Sequence, residues 1–220
     1  MRPCHDKAKT DLMKIIGTCL SVALAVILCP AQAQAQNLFV SDYNSGNVYE
    51  FTPGGTRSIF ASGLSRPLGL AFDSAGNLYV AEQASGNVYK FAPDGTRSTL
   101  ASGVESPYGL AVDHADNLFV AVWGYPGFIS EYTPGGIQST FASKVYPWGL
   151  AFDGLGNLFE TDFGSGNIYE FTPGGTRTTF ASGLASPTFL AFQPVPEPAT
   201  YSLLELAAVF LLGIRRLRRP

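Results

Sequence analysis

The side chains best suited to chemistry in this sequence are aromatic and acidic. Tyr43, Tyr108, Trp123, Tyr125, Tyr146, Trp148 and Phe163 fall in segments that read as loops or strand starts, and both tryptophans of the chain are among them. Exposed aromatic rings beside hydroxyls and carboxylates suit sugars, whose C–H faces stack while their hydroxyls hydrogen-bond. Acidic residues recur at equivalent points: Asp42, Glu82 and Asp162, with Val122 in the corresponding place between the last two. Carboxylates gathered around an axis can hold Ca²⁺ through oxygen ligands, so these three are the candidate metal ligands; no other cofactor is expected. Asp73, Asp113 and Asp153 each precede a short turn and read as Asx-turn formers.

Several chemistries lack their residues. The sequence carries no Gly-x-Ser-x-Gly elbow and no metalloprotease histidine motif. Beyond residue 35 the single histidine is His114, which falls in a turn on the side away from the aromatic set. The repeated Thr-Pro-Gly-Gly-Thr at Thr52–Thr56 and Thr172–Thr176 lacks the Lys-Ser/Thr of a phosphate loop and reads as a turn. The whole chain has 14 Lys+Arg and 17 Asp+Glu, a net charge of -3. Eight of the basic residues lie in the two tails, leaving residues 37–193 with 6 basic and 13 acidic side chains, about -7. An acidic body repels phosphate backbones, which excludes nucleic acid as the expected partner.

These residues sit on a repeated scaffold. Asn-Leu recurs at Asn37, Asn77, Asn117 and Asn157, a 40-residue period, and prolines recur with it at Pro67, Pro107, Pro147 and Pro187. The unit beginning at Asn77 has strand signals at Leu78–Glu82, Asn87–Ala92, Arg97–Ser102 and Tyr108–Asp113, here termed b, c, d and a. Gly- and Pro-containing turns separate them. Four short strands per unit, repeated radially, give an all-β protein: a β-propeller of four four-stranded blades over residues 36–193. The region starts at a b strand and ends at an a signal, Phe189–Gln193. That last strand is therefore expected to complete the first blade and remove an open edge. An eight-blade ring built from two chains is the alternative.

The run Pro107-Tyr108-Gly109-Leu110-Ala111-Val112-Asp113, followed by Asn117-Leu118-Phe119-Val120-Ala121, resembles NHL-type repeats. It is similar also to the gluconolactonase and virginiamycin-lyase propellers. The resemblance implies a propeller fold. It also implies a bracing role for the acidic residue ending strand b, the alternative to metal binding for Asp42, Glu82 and Asp162. In a propeller the b–c and d–a connections share one face. Those loops vary here, most in the third unit, where Trp123-Gly124-Tyr125-Pro126-Gly127 is one residue longer and Lys144-Val145-Tyr146 one shorter. Loops that vary on a fixed scaffold are where function concentrates.

Both ends read as addresses. Arg2, Lys7, Lys9 and Lys14 precede an apolar run, Ile15–Leu28, and Ala33 and Ala35 fit signal-peptidase cleavage after Ala35; Met13 is an alternative start. All three cysteines (Cys4, Cys19 and Cys29) lie in this signal helix region, so the processed chain has no disulfide or thiolate site. At the other end Pro196-Glu197-Pro198 precedes an apolar helix over 201–214 and then Arg215, Arg216, Arg218 and Arg219. Residues 194–220 in this order resemble the PEP-CTERM sorting signal of Gram-negative bacteria. That resemblance implies export, a transient stop in the inner membrane, processing by an exosortase, and residence at the cell surface or in the extracellular matrix. The sequence thus points to a non-catalytic binding protein for extracellular polysaccharide. A metal-dependent lactonase- or lyase-like enzyme and a passive scaffold binding envelope proteins are the alternatives.

Overall fold

The computed structural model describes residues 36–193. The signal segment with its cysteines and cleavage site, and the sorting segment with Pro196, Glu197, Pro198, Arg215 and Arg216, lie outside the described residues. Within them the chain is strand and turn only. The first sheet holds β1 (Leu38–Asp42), β2 (Asn47–Phe51) and β3 (Arg57–Ala61). The second holds β4 (Pro67–Phe72), β5 (Leu78–Glu82), β6 (Asn87–Phe91) and β7 (Arg97–Ala101). The third holds β8 (Pro107–Val112), β9 (Leu118–Val122), β10 (Gly127–Tyr132) and β11 (Gln138–Val145). The fourth holds β12 (Pro147–Phe152), β13 (Leu158–Asp162), β14 (Asn167–Phe171) and β15 (Arg177–Ala181). Every pair is antiparallel between chain neighbours, so each sheet is a simple meander.

Local chemistry sets each turn. Asp73 Oδ1 accepts the N–H groups of Ala75 and Asn77, and the Asn77 side-chain amide donates back to the same carboxylate. Asp113 with Asn117 and Asp153 with Asn157 repeat the arrangement, as Asx turns should. Between strands c and d, Gly55 takes φ +80° and donates its N–H to the Thr52 carbonyl. That conformation carries no penalty for glycine and closes the two strands over a short loop.

Burial follows the order of strands. The b strands β5, β9 and β13 are buried along their whole length, whereas the d strands face solvent at their starts. The core consists of the seams between successive sheets. Tyr79, Ala81 and Val88 of the second sheet pack on Leu110, Leu118 and Val120 of the third, and Ala121 and Ile129 of the third pack on Leu150 and Leu158 of the fourth. Glycine on the innermost strands lets them approach. A Cβ on Gly69 would run into the Tyr108 carbonyl oxygen, and one on Gly109 into that of Trp148. Aromatic pairs at the seams repeat with the period: Phe72 meets Phe39 at 5.0 Å, and Phe152 meets Phe119 at 5.0 Å, both edge-on.

The expected closure is not what the chain does. The first sheet has three strands, and residues 189–193 form none. The reason lies in what the segment already touches. Thr161 Oγ1 donates to the Thr188 carbonyl at 2.6 Å, as Ser41 Oγ donates to Leu68 at 2.7 Å, and Phe192 meets Phe159 edge-on at 4.9 Å. The segment therefore stands to the fourth sheet as β4 stands to the first. It occupies the place of the next blade's innermost strand and does not reach β1. Among the described residues the four sheets form an open series.

Candidate functional site

The b–c and d–a connections do share one face. Gln83 N–H donates to the Arg66 carbonyl, Trp123 N–H to Ser106, and Phe163 N–H to Tyr146, tying the two loops in each sheet together. On that face six of the aromatic residues form one continuous cluster. Phe163 stacks on Trp148 at 4.9 Å, Trp148 meets Tyr108 at 4.6 Å, and Tyr108 lies 6.2 Å from Trp123. Trp123 meets Tyr125 at 5.4 Å, and Tyr125 meets Tyr146 at 5.3 Å. Tyr125, at 80% exposure, is the most open ring of the set. It sits in the longer b–c loop of the third sheet.

Tyr43 is joined to the cluster by a residue that the sequence reading passed over. Its hydroxyl donates to Gln83 Oε1 at 3.0 Å, and Gln83 Nε2 donates to the Tyr108 hydroxyl at 3.0 Å. Gln83 occupies the position filled by Tyr43, Trp123 and Phe163 in the other units, so aligning the repeats is the signal that finds it. Arg66 lies over the Tyr43 ring at 5.6 Å and adds a cation to this end. Beside it a polar recess of about 670 Å³ is lined by Asn44, Ser45, Ser65 and Arg66. The face thus offers stacking rings at one end and hydrogen-bonding groups at the other. Trp148 Nε1–H, buried within the cluster, has no acceptor among the described residues.

The candidate metal ligands are not brought together. Asp42, Glu82 and Asp162 stand on three separate sheets, and among the described residues no group of three ligating side chains converges. Each carboxylate is taken up by its own loops. Asp42 Oδ1 accepts the N–H groups of Asn44 and Ser45. The Ser45 backbone N–H, first among several hydrogen bonds, holds the Asp42 carboxyl below its ordinary range. Glu82 accepts Ser65 N–H at 2.5 Å and the Ser85 hydroxyl. Asp162 accepts Tyr146 N–H at 3.1 Å and Ser165 N–H at 2.8 Å. Asp42 fastens its own b–c turn, whereas Glu82 and Asp162 each tie a b–c turn to a d–a loop.

A fourth acidic residue was missed. Glu160 is fully buried in β13, and neither carboxylate oxygen has a hydrogen-bond partner among the described residues. Its counterparts Val80 and Val120 are buried apolar residues. Burial, with the nearby Asp162 charge adding to it and Arg177 opposing, pushes the Glu160 carboxyl up to about 8. His114 lies in the turn between β8 and β9, in a separate cavity of about 420 Å³ with Asp113 and Glu131.

No protein-family model matches the sequence, and no curated protein matches it. Solved structures do match. Virginiamycin B lyase from Staphylococcus aureus superposes with a TM-score of 0.60 at 17% identity, over 71% of this chain and 56% of that one. A putative gluconolactonase superposes with a TM-score of 0.59 at 16% identity, over 66% and 59%. The nidogen/laminin complex gives a TM-score of 0.58 at 23% identity, over 66% and 59%. The fold is a β-propeller fold. The chain spans little more than half the length of these propeller neighbours, and likeness at this identity speaks to fold alone.

Proposed function

We propose that this protein binds an extracellular polysaccharide through the aromatic face and performs no chemistry on it. The observation that carries the reading is the unbroken run from Phe163 through Trp148, Tyr108 and Trp123 to Tyr125 and Tyr146, extended to Tyr43 by Gln83. Rings set a few ångströms apart along one face can stack successive sugar residues of a chain, and Arg66 and the loop serines supply polar partners at its end. Glu82 and Asp162 accept N–H groups of the loops that form this face. We further propose that the protein is exported from a Gram-negative bacterium, processed by signal peptidase and an exosortase after a transient stop in the inner membrane, and delivered to the surface or matrix. The amino-terminal apolar run and the Pro196-Glu197-Pro198 segment support that route.

The lyase and gluconolactonase among the structural neighbours motivate the alternative, a propeller enzyme. Affinity electrophoresis through gels holding the source's own extracellular polysaccharide separates the two. Binding predicts retarded migration, restored to the control rate by Trp123→Ala with Tyr125→Ala, and an unchanged polymer length after incubation. Shortened polymer, or migration unaffected by the polysaccharide, contradicts the reading.

A further inference from the structure

The two ends of the described chain are exposed in complementary ways. On the first sheet Leu38 is 62% exposed and Val40 39%, whereas their counterparts Leu78, Val80, Leu118 and Val120 are at most 1% exposed. The counterparts are covered by the preceding sheet and paired with an innermost strand; among the described residues β1 has neither. On the fourth sheet Leu184 is 44% exposed, whereas Leu64, Val104 and Val145 at the equivalent place are buried by the following sheet. Phe180, Phe189 and Phe192 are exposed beside it. One end is a sheet lacking its innermost strand, and the other is an innermost strand lacking its sheet.

We propose that two copies of this chain close one ring head to tail, the Thr188–Gln193 segment of each entering the first sheet of the other as its missing innermost strand. The three complete sheets supply the register. Leu70 pairs with Val80, Ala71 with Tyr79 and Phe72 with Leu78. The same spacing sets Leu190 opposite Val40, Ala191 opposite Phe39 and Phe192 opposite Leu38 of the second copy. Phe180 then meets Phe51 of that copy, as Phe60 meets Phe91 at 5.7 Å and Phe141 meets Phe171 at 5.5 Å within the chain. The segment keeps its contact with its own fourth sheet, so nothing already formed is broken.

Closure within one chain demands far more of the scaffold. Phe39–Ser41 and Phe189–Leu190 border the same central cavity of about 340 Å³ without pairing. A four-blade circle needs each sheet to turn a quarter of a revolution. The propeller chains that this one superposes on extend well beyond the matched part, which takes in 56% and 59% of their lengths. Two copies provide eight blades, and a head-to-tail contact made twice closes on itself with two-fold symmetry. It also removes two unpaired sheet edges and two apolar patches at once.

Cysteine pairing in the full-length chain with Cys4, Cys19 and Cys29 replaced by serine tests this directly, because residues 36–193 contain no cysteine. Val40→Cys and Leu190→Cys are introduced together and also singly, oxidised mildly, and the linked peptides are identified by mass spectrometry. The expected result is a covalent dimer from the double variant and a 40–190 linked pair on mixing the single variants. Light scattering of the unaltered chain should give twice the chain mass. A 40–190 link within one chain, a ladder of longer oligomers, no 40–190 link at all, or a monomer by light scattering overturns the proposal. The light-scattering arm stands even where a cysteine variant does not fold.

Discussion

Replacing Glu160 by the valine that its counterparts carry should stabilise the protein, increasingly so as pH rises. The carboxyl is buried without a partner, so the fold holds it protonated, with a folded value of about 8 against an ordinary 4.5. Between those values the native state binds a proton that the unfolded state has released. Stability therefore falls as pH rises through that window, by about 1.4 kcal/mol per pH unit. The penalty is absent below 4.5, reaches about 3 kcal/mol at pH 7, and levels off near 5 kcal/mol above pH 8. Val80 and Val120 show that the position accepts the smaller apolar side chain. Urea unfolding at pH 4.5, 6, 7 and 8.5 should show the native protein weakening across the series, with Glu160→Val flat and more stable at the alkaline end. Glu160→Gln should flatten the curve while leaving an unpaired amide. A native protein equally stable at pH 4.5 and 8.5, or a valine variant with the same pH slope, refutes the assignment of a buried neutral carboxyl.

Three further outcomes follow from named contacts. Gly109→Ala forces a Cβ against the Trp148 carbonyl and should lower the free energy of unfolding by about 1–3 kcal/mol, whereas Gly54→Ala, whose Cβ meets only the Thr52 hydroxyl at 3.9 Å, should change it little. Asp113→Ala removes the acceptor of three hydrogen bonds in one turn and should cost about 1–2 kcal/mol in the same measurement. Gln83→Ala separates Tyr43 from Tyr108 and should weaken polysaccharide binding several-fold, about 1 kcal/mol by calorimetry, with thermal stability nearly unchanged.

Strand positions were legible because each unit repeats the same alternation and the same turns. The strand expected at Leu78–Glu82 is the one observed, and the neighbouring ones end within a residue of expectation. The Asx role of Asp73, Asp113 and Asp153 was legible for the same reason: an Asp four residues before Asn makes its contacts locally. Ring closure was not. Whether Phe189–Gln193 reaches β1 depends on the angle accumulated over four seams, and no single residue encodes that angle. The surroundings of the carboxylates were not legible either, for a related reason. Their spacing says that Asp42, Glu82 and Asp162 occupy the same place in three sheets, but their direction is decided by the loop N–H groups that claim them. Glu160 escaped notice because a glutamate in a strand ordinarily reads as solvent-facing. Only comparison with Val80 and Val120 reveals an interior position.

The central claim is that the aromatic face holds a polysaccharide, and the protein's own fluorescence tests it most directly. Trp123 and Trp148 are the two tryptophans of the chain, and both lie in the cluster. Titration with the source's extracellular polysaccharide should give a saturable change in tryptophan emission. Tyr125→Ala should weaken the response while leaving the β-sheet circular dichroism intact. An emission spectrum unmoved by saturating polysaccharide, from a protein with that circular dichroism, contradicts the account.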